Sequence, residues 1–127
     1  MPTDDSSTRY AVRILPIALE EIDAAAIRLA EIAGLDIEDE WRQGISHQIK
    51  ELSQNPRRHP IIPEQAYFRR EVRQTVYRRT PSGPAHRILF VISDTSPDGP
   101  LVRVFHVRHA SAKPIGRKEA REREAGQ

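Results

Sequence analysis

Apolar and polar positions alternate over residues 10–15 and stop at Pro16, which predicts a short first strand. Pro16 then stands where a helix can begin, because the N–H it lacks would have no partner in a first turn. Ala18, Ile22, Ala25, Leu29 and Ile32 recur at steps of three and four, one apolar stripe of a helix that Gly34 ends. Asp36 is the expected N-cap of a second helix. Its stripe is Ile37, Trp41, Ile45, Ile49 and Leu52, and Asn55-Pro56 closes it. The short link at Gly34-Leu35 folds the two helices back on each other, and Trp41 is read as core.

A loop with Pro60 and Pro63 follows, and then three strand patterns over 68–78, 87–93 and 101–108. Pro81-Ser82-Gly83-Pro84 and Ser96-Pro97-Asp98-Gly99-Pro100 separate them, so the strands are expected to form an antiparallel meander. The expected class is α+β: an N-terminal strand, a two-helix hairpin on one face, then the meander, all in one sheet. Residues 1–9 are read as a flexible start, 10–114 as the domain, and 115–127 as a charged tail outside the core. Within the first meander strand, alternation sets Arg73, Thr75, Tyr77 and Arg79 against Val72, Gln74, Val76 and Arg78. The valine side is taken as the core side, which leaves the Arg73–Tyr77 side open.

The length of 127 residues fits one domain, and the absence of cysteine excludes disulfides and thiolate-held zinc. The polar, acidic start lacks the layout of a secretory signal, and no apolar run is long enough to cross a bilayer. A cytoplasmic protein without a membrane partner is expected. The formal charge of +2 hides a division. Residues 17–52 hold nine acidic and three basic side chains, net −6, whereas 67–113 hold eight Arg, one Lys and three acids, net +6. Arg presents a planar fork suited to phosphates and carboxylates, so the basic half points to an anionic partner, or else to a solvated basic face.

The element order resembles the RelE/ParE toxin superfamily, the plasmid-stabilisation type. Four stretches carry the likeness: Arg13-Ile14-Leu15-Pro16-Ile17-Ala18, Leu52-Ser53-Gln54-Asn55-Pro56-Arg57-Arg58, Arg73-Gln74-Thr75-Val76-Tyr77-Arg78 with Arg87-Ile88-Leu89-Phe90, and Val104-Phe105-His106-Val107-Arg108-His109-Ala110. The resemblance implies a bacterial toxin of a type II toxin–antitoxin system, a growth inhibitor neutralised by a cognate acidic antitoxin. It implies one of two targets, DNA gyrase for ParE-like members or mRNA on the ribosome for RelE-like members. No cofactor is implied.

Metal-free RNA cleavage needs donors for the phosphorane and groups that move protons. Arg73, Arg87 and Arg108 are the candidate donors, with His106 and His109 (and Tyr77) for proton transfer. Arg78, Arg79 and Arg103 are candidate anion- or partner-binding residues. The alternative reading of Arg87 is a charge marking a strand's start, and of His109 a structural role in the sheet. Alternation puts His106 and Arg108 on one face and Phe105, Val107 and His109 on the other, so His106 and His109 do not form a metal pair. RelE-type nucleases keep lysines and a tyrosine near the chain end. Here no Tyr follows Tyr77, and Lys occurs only at positions 50, 113 and 118, which favours the ParE-like, non-cleaving reading. The whole scheme requires an open platform of arginines. It expects Arg73 and Arg87 to be replaceable with the fold retained, and partner binding to weaken steeply with salt.

Overall fold

The computed structural model describes residues 8–127. β1 (Ala11–Ile14) leads into α1 (Pro16–Ala33) and α2 (Leu35–Lys50). Single 3-10 turns at Glu51–Ser53, Pro56–Arg58 and Gln65–Tyr67 mark the way to β2 (Arg73–Arg78). β3 (Ala85–Ser96), β4 (Gly99–His109) and α3 (Arg117–Ala125) follow. The protein is α+β with one mixed sheet, ordered β1-β4-β3-β2. β2, β3 and β4 form the expected antiparallel meander, and β1 joins β4 in parallel along Leu101–Val104. Most of the expected flexible start lies outside the described residues, although Arg9 already bridges to Gln54. Among the described residues, no helix is long and apolar enough to cross a membrane.

Gly34 makes the hairpin. Its φ of +94° is costly for any residue with a Cβ. Its N–H donates to the Ala30 carbonyl at 2.9 Å, while its own carbonyl accepts the Glu38 N–H at 3.1 Å, so one residue closes α1 and opens α2. Asp36 is therefore not the cap. It lies inside the first turn of α2 with Glu38, where the positive end of the helix dipole favours both carboxylates.

The hairpin buries Ala18, Ile22, Ala26, Trp41, Ile45 and Ile49 against Tyr77, Ile88, Phe90, Val102 and Val104 of the sheet. Only the end of the first stripe departs from expectation, since Ile32 is 77% exposed. Gly44 of α2 lets Tyr77 lie close. A Cβ there would meet the Tyr77 hydroxyl and come within 2.6 Å of its ring carbon Cζ. Tyr77 is buried and cannot swing away. Gly44→Ala is accordingly expected to destabilise by about 1–3 kcal/mol through overpacking, outweighing the roughly 1 kcal/mol that alanine brings to a helix. Thermal unfolding checks this, and an unchanged or raised Tm would contradict the close contact.

Three expectations need correction. First, Thr75 and Tyr77 point into the hairpin core and Val76 is exposed, the reverse of the face assigned from alternation. Second, helices do not lie on one face alone. Ile62, Phe68, Val72, Leu89, Val91, Phe105, Ile115 and Ala120 form a second core across the sheet, so the segment from residue 115 is packed rather than a loose tail. Third, a register shift sets Leu89 opposite His106 and Phe90 opposite Val104, leaving Phe105 as the extra residue of a bulge. Phe105 consequently joins the second core and Val107 the first.

Candidate functional site: a groove at the hairpin and the fate of the arginines

Arg87 and Arg108 sit directly opposite each other on β3 and β4, and His106 shares their face. The structure thus gathers three of the candidate residues. It also occupies them. Arg87 donates to both oxygens of Glu64 at 2.7 and 2.8 Å and to Gln74 Oε1 at 2.6 Å. Glu64, in turn, accepts the Ile115 N–H at 3.1 Å. The Arg87 fork holds the Glu64 carboxyl at about 2, below its ordinary 4.5. Arg108 binds Glu119 at 3.2 Å and the Lys113 carbonyl, both in or beside α3. His106 is buried, with its Nδ1 at 2.9 Å from Glu21 and its Nε2 at 3.6 Å from Glu119.

Glu21 is a junction that no sequence signal marked. Past Val104, β4 has no β1 partner, and Glu21 of α1 accepts the free Val107 N–H at 3.0 Å. The same carboxylate pairs with Arg123 of α3 at 3.0 Å. Burial alone would raise its pKa, but the bonds from His106 and Val107 bring it below the usual carboxylate range.

Arg73 lies elsewhere, donating to the Arg57 and His59 carbonyls at 3.0 and 2.7 Å and to Glu71 at 2.9 Å. Arg78 donates to the Gly83 carbonyl at 2.8 Å, Arg79 pairs with Glu40 at 3.6 Å, and Arg103 reaches Ser93 Oγ at 3.4 Å. The open arginine platform is therefore not what the fold builds. Loss of Arg87 would leave Glu64, only 6% exposed, without its counter-charge, so the structure argues against replacing Arg87 with the fold retained.

His109 lies on the opposite face of β4 from His106, paired with His86 across the strands. Their rings meet edge to face at 5.2 Å, and Trp41 stands over His86 at 5.3 Å. Burial first, and His109 second, push the His86 imidazole below its ordinary pKa, and its Nδ1 has no hydrogen-bond partner among the described residues. This trio floors a groove of about 580 Å³ between α1 and the 79–84 turn. Leu29 and Ile32 form its apolar wall; Arg28 stands on it as a cation, Arg79 is paired with Glu40, and Glu21 also lines it. The arrangement suits the seating of an apolar side chain with a carboxylate beside it.

No protein-family model matches the chain, and no curated protein matches its sequence.

Proposed function

We propose that the chain is the cytoplasmic toxin of a type II toxin–antitoxin pair, a growth inhibitor that acts by binding, with DNA gyrase as target and an acidic antitoxin as neutralising partner. With the open arginine platform not built, the reading rests on the likeness to the RelE/ParE superfamily, which supplies the target and the partner. The order of strand, helical hairpin and meander is the order on which that likeness rested. The observation that carries binding over cleavage is the commitment of Arg73, Arg87 and Arg108 to internal acceptors. No free fork is left among them for a phosphorane, and His106 is buried beneath Glu119 of α3.

The groove at Trp41, His86 and His109 is the surface assigned to a partner. An antitoxin segment would set an apolar residue between Leu29 and Ile32 and a carboxylate toward Arg28. Binding there rests more on apolar burial than on charge, so it should weaken only mildly with salt. That differs from the steep dependence expected of an open basic sheet.

Induction of the chain in a bacterial host is expected to arrest growth. Co-expression of the antitoxin is expected to relieve the arrest, and Ile32→Asp, at an exposed position of the antitoxin groove, to leave the protein folded and toxic but no longer neutralised. Unchecked growth of the host with the wild-type chain accumulating in folded form would overturn the toxin reading.

A further inference from the structure

On the second face of the sheet, the segment 66–70 and α3 enclose a groove of about 670 Å³ lined by a cluster of arginines. Arg69, Arg70, Arg117 and Arg121 line it, and all four are exposed. Among the described residues, no carboxylate lies within ion-pair distance of any of them (Arg70 donates to Ser93 Oγ at 3.0 Å); Arg28, Arg78 and Arg103 are also without one, but only here do four such arginines line one groove. The one acid on the lining, Glu124, gives its Oε2 to the backbone N–H groups of Arg69 and Arg70 at 2.8 and 2.9 Å. It fixes the segment to the helix and leaves the guanidinium groups unneutralised. Four like charges crowded in one groove repel each other, a cost that an anionic ligand removes.

Tyr67 adds a second feature. It is 42% exposed beside the buried Phe68, and Arg117 stacks at 5.8 Å from its ring centroid. Arg117 and Arg121 are one turn apart on α3, about 6 Å along the axis, a step that suits successive phosphates of an extended strand. We propose that this groove binds single-stranded nucleic acid, with phosphates on Arg69, Arg70, Arg117 and Arg121 and a base against Tyr67. Guanidinium forks match phosphate oxygens, and an exposed aromatic beside them supplies the stacking platform such sites use. An acidic peptide would satisfy the charges but would make no use of the ring. The inference stands apart from the toxin reading, since none of these residues lines the groove at Trp41.

The test is fluorescence anisotropy of the full chain with labelled twelve-nucleotide oligo(U) and oligo(dT) at a series of salt concentrations. Because the contacts are to phosphates and a base face, both probes should bind alike. The log–log salt slope should be about −2 to −3 for three to four phosphates on a single strand. Arg117→Ala with Arg121→Ala should weaken binding about tenfold or more and flatten the slope. Tyr67→Ala should weaken it about tenfold, with Tyr67→Phe close to wild type. Arg13→Ala, exposed and outside both grooves, should leave oligonucleotide binding unchanged. These positions are exposed, and circular dichroism confirms that each variant is folded. The proposal is overturned by absence of salt-sensitive binding, or by a folded double variant that binds as wild type does. Competition by poly-glutamate as strong as by oligo(U), with Tyr67→Ala unaffected, would overturn it in favour of an acidic peptide.

Discussion

Trp41→Ala is expected to remove about 3–5 kcal/mol of folding stability. The ring is 4% exposed and wedged between α2 and the sheet, edge to face with Tyr77 at 6.1 Å and with His86 at 5.3 Å. Tyr77 and His86 sit on paired strands, so the hole cannot close without bending the ladder. A domain of this kind holds only about 5–15 kcal/mol in all, so the variant should be marginal. Because Trp41 also floors the hairpin groove, partner binding should fall with it. Urea unfolding followed by circular dichroism is the measurement, since the only tryptophan is gone. A loss under about 1 kcal/mol would mean that the ring does not anchor the helix to the sheet.

The second large effect belongs to Glu64. Its pair with Arg87 is buried, 6% and 12% exposed, and it also holds the Ile115 N–H that brings α3 onto the sheet. Glu64→Gln keeps the shape but leaves the Arg87 charge without its counter-ion, at an expected cost of about 3–5 kcal/mol. The same pair sets an acid limit. A carboxyl held at about 2 in the folded chain and near 4.5 when free contributes fully above the free value. Its contribution, on the order of 3 kcal/mol, is lost as pH falls from about 4.5 toward 2. Stability measured across that window should fall less steeply in Glu64→Gln than in wild type. Parallel pH profiles for the two proteins would rule out the pair as the source.

The element order was legible because its signals are local. Pro16 opens α1, the three-and-four spacing of Ala18, Ile22 and Leu29 marks its face, Gly34 breaks it, and two proline-glycine turns divide the meander. The second face of the sheet was not legible. Its core draws on Ile62, Phe68 and Ile115, isolated apolar residues in segments with no period, and on Ala120 inside a charged run. The inversion of β2 has the same cause: both faces of the sheet are covered, so Val72 packs below while Thr75 and Tyr77 pack above, and a valine count misjudges the side. The bulge at Phe105 breaks alternation where no glycine announces it.

The arginines were misjudged for a different reason. Charge counted by segment cannot see partners from other segments. Glu64 lies 23 residues from Arg87, Asp94 lies 37 from Arg57, and Glu21 lies 102 from Arg123. Within the basic half, Arg73, Arg79, Arg87 and Arg108 are paired with Glu71, Glu40, Glu64 and Glu119. Arg69, Arg70, Arg117 and Arg121, which have no carboxylate partner among the described residues and line one groove, were left off the candidate site, because an exposed charge in a loop or tail carries no periodic mark.

Binding without cleavage is tested most directly by one paired assay. Purified chain, freed of any bound partner, is incubated with gyrase and supercoiled DNA, and separately with translating ribosomes and message. Stalled, cleaved DNA complexes with the message intact are the predicted result. Cut message, with supercoiling unaffected, would contradict it.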